Sequence, residues 1–248
     1  MIWTLSSPAQ LAGVKFPLVW AGTALAHVVY TAPNPPPKTE ETARYTKGDP
    51  LMQRAGQATF AFTKLVHWTY AVCESAVLIA NTFPSSTSTF VLSLLVREGH
   101  SAAAVRPTTT TAIGWGLLCV GGLIRAACYR ELGRLYTFHL SIRDGHRIVD
   151  TGPYGVVRHP GYTAAVIAFA GMVLAHFGEG SWFREAGWLE TRAGQAVAAV
   201  WFANVFRIIA ILVLHRVHQE DEALRSQMPE QWKKYAQRTP YRLIPFVY

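Results

Sequence analysis

The sequence predicts an all-α fold: a polytopic membrane helical bundle of about five transmembrane helices. Half of the 248 residues are hydrophobic, and only 15% are charged. That is well short of the roughly 25% charged residues of an ordinary globular domain. Apolar stretches also recur at roughly 20 residues, enough to cross about 30 Å of hydrocarbon as helix.

The first stretch, residues 9–32, has no Lys or Arg before Lys15 and no small-x-small cleavage pattern at its end, so it reads as a retained span and not a signal peptide. Residues 33–50 hold Pro35, Pro36, Pro37 and Gly48 among several charges, which predicts an extended loop. A second span follows at 58–83, then a linker of Ser and Thr at 85–89. The apolar piece at 90–96 is too short to cross and predicts an interfacial or re-entrant segment. Thr108 to Thr111 supply a cap for a third span at 110–130, and further spans follow at 160–177 and 193–215. No internal repeat is visible. The expected organisation is an N-terminal unit of spans and loops, 1–130, and a C-terminal functional core, 131–248.

The net charge of +8 does not point to nucleic acid, because Lys and Arg gather at span ends with no arginine stripe interleaved with aromatics. Residues 131–159 carry Arg134, Arg143, Arg147 and Arg158, and the tail carries Arg216, Arg225, Lys233, Lys234, Arg238 and Arg242. The connection at 178–192 balances Arg184 and Arg192 against Glu179, Glu185 and Glu190. The positive-inside rule then places both basic segments on the cytosolic side. Cys73, Cys119 and Cys128 lie in apolar stretches without CxxC spacing, so reduced thiols are expected and no metal site.

Two clusters carry chemistry. In the first, Gly152 and Pro153 force a turn after His146, and Tyr154, Arg158, His159, Pro160 and Tyr162 lead into a span. A helix start offers free N–H groups and partial positive charge, suited to a carboxylate. One basic residue there would be a headgroup anchor, but this density around a fixed turn favours a site. In the second, Arg216 and Glu220 stand four apart and share a helix face. Taken alone, they are an ordinary ion pair worth about 0.3–0.5 kcal/mol.

Together the clusters spell an ordered set of motifs: H-x-[IL]-V at His146, Arg147, Ile148 and Val149; G-P-Y ending in Tyr154; and R-H-P-x-Y at Arg158, His159, Pro160, Gly161 and Tyr162. They continue in R-x-x-x-E-[ED]-x-x-L at Arg216, Glu220, Asp221 and Leu224, then Trp232, Tyr235 and R-L-I-P ending in Pro245. In order and spacing this half of the chain resembles the isoprenylcysteine carboxyl methyltransferase family. The resemblance implies an S-adenosylmethionine pocket at the cytosolic membrane face, formed by the C-terminal segments. His146, Arg147, Ile148, Val149, Tyr154, Arg158, His159, Pro160, Gly161, Tyr162 and Glu220 would line it, with His139 by a looser alignment. Arg216 would face the substrate carboxylate, and Arg216 and Glu220 would carry the catalytic work. The implied partners are the prenylated C-terminal cysteine of CaaX proteins and membrane lipid, in the endoplasmic reticulum.

Three places depart from the family pattern. Gly161 stands where relatives have Ser, Ala164 or Ala165 stands where a Gly is usual, and Asp221 replaces the second acid of a Glu pair, where it is expected to matter less. A C-terminal carboxylate, with an unperturbed pKa near 3.5, is already ionised and needs no general base. Two other activities share the architecture. A phospholipid N-methyltransferase would act on an amine, whose charged form Arg216 would repel. A sterol reductase would bind NADPH and is expected to be longer. Trp115, Gly116, Gly121, Gly122, Trp201 and Phe202 suit a lateral opening for lipid, but helix packing explains them equally well.

Overall fold

The computed structural model describes residues 7–38, 40–41, 50–138, 141 and 145–248, with backbone alone for 50–57. All regular structure among them is helical. The elements are α1 (Pro8–Val29), α2 (Pro50–Thr82), α3 (Ser86–Leu95), α4 (Thr109–Leu132), α5 (Pro160–Phe177), α6 (Trp182–Glu185) and α7 (Arg192–Ala210). A π-helical turn, Ile211–Arg216, carries α7 into α8 (Val217–Gln227), and α9 (Pro229–Arg238) follows.

Four described segments are long and apolar enough to cross a membrane: Pro8–Val29, Thr109–Leu135, Pro160–Glu185 and Arg192–Gln227. The expected second span, 58–83, falls in α2. That helix has 33 residues but is not among the four. The physical reason is its polar content, Lys64 and Glu74 included. Glu74 is fully buried, its Oε1 2.8 Å from the buried Lys15 Nζ of α1. Lys15 also donates to Gly180 O at 2.5 Å, and Trp182 N–H donates to Glu74 Oε2 at 3.1 Å. A charge that would be costly in lipid is thus paired inside the protein.

Local signals account for the helix starts. Ser7 and Gln10 form a capping box on α1, and Thr108 and Thr111 form one on α4, where the sequence predicted the cap. Ser85 caps α3, so this short helix begins four residues before the apolar run.

α4 and α5 approach closely because glycines line the seam. A Cβ at Gly121 would lie 2.7 Å from Ala164 O, and one at Gly114 2.5 Å from Ala175 N. On the α1 side, a Cβ at Gly122 would meet Leu25 O at 2.5 Å. Trp115 and Trp201 are buried in the core with Leu118, Phe169 and Met172. Packing therefore explains Trp115, Gly121, Gly122 and Trp201, whereas Gly116 faces open space.

The two ends of the bundle differ. At one, Thr108 Oγ1 donates to Glu179 O, beside the Lys15–Glu74 pair. At the other, Tyr129 OH donates to Val28 O at 2.6 Å, and Asn34 Nδ2 donates to Gly133 O at 2.8 Å and Tyr136 O at 2.9 Å. The start of α5 and the end of the π-helical turn meet at this second end, so both basic segments gather there.

Candidate active site

The start of α5 is built by the turn before it. Gly152 takes φ +56°, which side chains resist, and a Cβ there would also strike Glu131. Tyr154 is buried, and its carbonyl accepts the Tyr235 hydroxyl of α9 at 3.0 Å. Beyond it, the Arg158 and His159 N–H groups donate to Tyr241 O and Arg242 O, each at 2.9 Å. Thr163 Oγ1 donates to Leu243 O at 2.7 Å. The C-terminal segment is thereby laid along the first turn of α5.

Against this turn stands the π-to-α junction. Arg216 ends the π-helical turn and Glu220 lies in the first turn of α8. The fifth predicted span does continue as helix past its apolar part, through a widened turn that rephases α8 relative to α7. Arg216 Nη2 lies 3.4 Å from Glu220 Oε1 and donates to Phe138 O at 2.9 Å, while its Nε reaches Tyr162 OH at 3.4 Å. Tyr162 OH donates to Glu220 Oε1, and the Tyr162 ring lies parallel to that of His159, centroids 5.7 Å apart.

His159 spans both acids. Its Nδ1 is 3.2 Å from Glu220 Oε2 and its Nε2 is 2.8 Å from Asp221 Oδ1. Burial works against the charged ring, but the hydrogen bonds and charges of Asp221 and Glu220 outweigh it and raise its pKa. A ring facing carboxylates at both nitrogens is an imidazolium, donating twice. Asp221 further pairs with Arg158 Nη2 at 3.1 Å and Arg242 Nε at 3.2 Å. Three guanidiniums and one imidazolium therefore face two carboxylates.

The predicted residues divide into three groups. Arg216, Glu220, His159 and Tyr162 converge at one point, with Pro160 and Gly161 forming the first turn beneath them. His146 flanks this point, within electrostatic reach of Glu220, and Arg147 lies beside it in sequence. Burial lowers the His146 pKa against the opposing charge of Glu220, and His146 Nδ1 is buried without a partner among the described residues. Arg147 lines a cavity of about 350 Å³ with Leu132, Arg134, Leu135 and Gly145. The third group turns elsewhere. Arg158 donates to Thr239 O and Pro240 O and lies over the Trp232 ring, so it holds the tail. Val149 and Tyr154 pack with Cys128 and Tyr136, and Ile148 N–H reaches Gln231 Oε1 at 3.5 Å. His139 lies outside the described residues.

Sequence reasoning undervalued Asp221, which accepts from three partners, and missed Arg242 and Arg125. Arg125 is buried in α4 and donates through Nη1 to Gly161 O at 2.7 Å. Its one sequence signal was a lone charge inside a span. It also accounts for the departure at position 161, where a Cβ would lie 2.8 Å from Arg125 Nη1.

Comparison with known proteins bears on the same region. Residues 113–179, from α4 through α5, match the family model described as the isoprenylcysteine carboxyl methyltransferase (ICMT) family. A relative from Arabidopsis thaliana, protein-S-isoprenylcysteine O-methyltransferase B, is 23% identical over 185 residues, covering 73% of this chain and 83% of the relative. No solved structure matches the chain significantly. In its motifs and in both of these matches the chain is similar to the isoprenylcysteine carboxyl methyltransferase family.

Proposed function

We propose that this membrane protein transfers a methyl group from S-adenosylmethionine to the C-terminal carboxylate of an S-prenylated cysteine. The observation that carries the reading is the convergence of Arg216, Glu220, Tyr162 and His159 at the end of the bundle. The excess of guanidinium and imidazolium over carboxylate there suits an anionic acceptor and disfavours the ammonium form of a phospholipid amine.

The residues present fit the cofactor. His146 Nδ1 is a buried polar atom with no partner among the described residues, in need of a hydrogen bond. Glu220 offers a carboxylate to the cofactor's ammonium or ribose. When bound, the cofactor supplies a sulfonium-linked methyl group.

The remaining work is positioning. Arg216 orients the acceptor carboxylate with a planar fork that stays charged at every working pH. It is itself held by Phe138 O, Tyr162 OH and Glu220, so its fork is pre-aimed. No proton has to be removed, so His146 and His159 act as walls and charge, not as a relay. The prenyl chain reaches the site from hydrocarbon, favoured by roughly 0.8 kcal/mol per buried CH₂, and the cofactor from the aqueous side. By the charge argument that side is the cytosol; the endoplasmic reticulum as compartment follows from the family resemblance alone.

The test is a radiolabelled methyl-transfer assay on purified protein with two acceptors. Label on N-acetyl-S-farnesylcysteine supports the reading. Label on phosphatidylethanolamine alone overturns the carboxylate assignment, and selective NADPH binding overturns the class.

A further inference from the structure

Arg125 is a charge inside a membrane-crossing helix, 4% exposed, with no carboxylate paired to it among the described residues. Such a group is costly to keep and calls for a reason. Its surroundings are specific. Nη1 donates to Gly161 O at 2.7 Å and Nε to Tyr129 OH at 3.2 Å. The guanidinium carbon lies 5.5 Å from the Tyr129 ring centroid and 5.1 Å from those of Tyr136 and Phe138. Three aromatic faces and a backbone carbonyl replace the missing anion.

These contacts join the two sides of the site. Gly161 belongs to the first turn of α5, which carries His159 and Tyr162. Phe138 is the residue whose carbonyl receives Arg216 Nη2 at 2.9 Å. Tyr129 donates in turn to Val28 O and Thr31 O, so the cluster is anchored on α1 as well. Gly161 has ordinary helical backbone, so its lack of a side chain is a matter of space, and Arg125 Nη1 fills that space.

We propose that Arg125 is a positioning residue: its guanidinium clamps the first turn of α5 to the aromatic segment Tyr136 to Phe138, and thereby sets where Arg216 points. It acts through Gly161 and Phe138, without touching the reacting groups. The clamp needs the planar fork as well as the charge, because two donors and three ring faces are used at once. In its kinetic part the inference rests on the proposed methyl transfer.

The experiment compares Arg125→Met, Arg125→Lys, Gly161→Ser and the Arg125→Met/Gly161→Ser double variant, by amide hydrogen exchange and by steady-state methyl transfer to N-acetyl-S-farnesylcysteine. Exchange reads the clamp without reference to any reaction. Arg125→Met is expected to raise exchange at 134–138 and 161–163 by roughly tenfold, leaving the α1–α2 contact unchanged. The Michaelis constant for the acceptor rises by roughly tenfold, more than kcat falls. Arg125→Lys restores part of both. Gly161→Ser displaces the guanidinium and reproduces part of the defect, but adds nothing once Arg125 is gone, since the two changes break one contact. Unchanged exchange in Arg125→Met, full restoration by Lys, or multiplying effects of the two substitutions would overturn the proposal. A wild-type protein that transfers no methyl group sinks the proposed function, while the exchange pattern still decides the clamp.

Discussion

His159 Nε2 stands 2.8 Å from Asp221 Oδ1, and this contact joins the start of α5 to α8 across 62 positions of sequence. Through the same ring the site acid Glu220 is tied to the tail-binding acid Asp221. The ring is thus a cationic bridge, and its protonation should be visible in stability.

Because the folded pKa of His159 is raised, its contribution is fully present below the unfolded value, about 6.5, and is lost as pH rises through the folded value. Thermal melts of detergent-solubilised protein should show wild type losing stability above that pH relative to His159→Gln. Parallel pH profiles for the two proteins would mean that the ring is neutral.

Asp221 balances Arg158, Arg242 and His159 together. Asp221→Asn leaves three cations facing one another, and breaking a buried pair in this way costs about 3 kcal/mol or more. A lowered melting temperature is expected, together with faster proteolysis of the segment after Arg238. Asp221→Asn melting like wild type would return Asp221 to the minor role first expected of it.

At the opposite end, Lys15→Met strands the buried Glu74 carboxylate and should cost about 3–5 kcal/mol. Lys15→Met/Glu74→Gln removes both charges and keeps an oxygen for Trp182 N–H. The double variant should recover more than half of the loss. Additive effects in a double-mutant cycle would show that the two residues do not form a pair.

The glycine seam predicts a contrast within α4. Gly121→Ala places a methyl group 2.7 Å from Ala164 O and should destabilise by about 1–3 kcal/mol. Gly116→Ala, which meets nothing within 4 Å, should be neutral or slightly stabilising. Equal melting temperatures would show that α4 and α5 are not in close contact at Gly121.

Most of the bundle was legible because length and apolarity are local properties. Four spans, the Thr108 cap and the gathering of two basic clusters at one end could all be read from residue type and spacing. The buried charges were not. Glu74 lowers the apolarity of α2 when counted alone, and only the fold reveals Lys15 beside it. Arg216 and Glu220 announced themselves by an i, i+4 spacing. Asp221 is a hub through contacts with residues 21 and about 60 positions away, which no window of sequence contains. The π-helical turn at Ile211–Arg216 has no Pro or Gly to mark it.

The central claim is that Arg216 and Glu220 serve methyl transfer to a prenylcysteine carboxylate. The most direct measurement is radiolabelled methyl transfer to N-acetyl-S-farnesylcysteine by wild type, Arg216→Lys and Glu220→Gln, each first shown to be folded by thermal melting. The account predicts transfer by wild type and a loss of about a hundredfold in kcat/KM for each variant, the scale expected when a positioning contact is misplaced. Variants that retain wild-type transfer would contradict it.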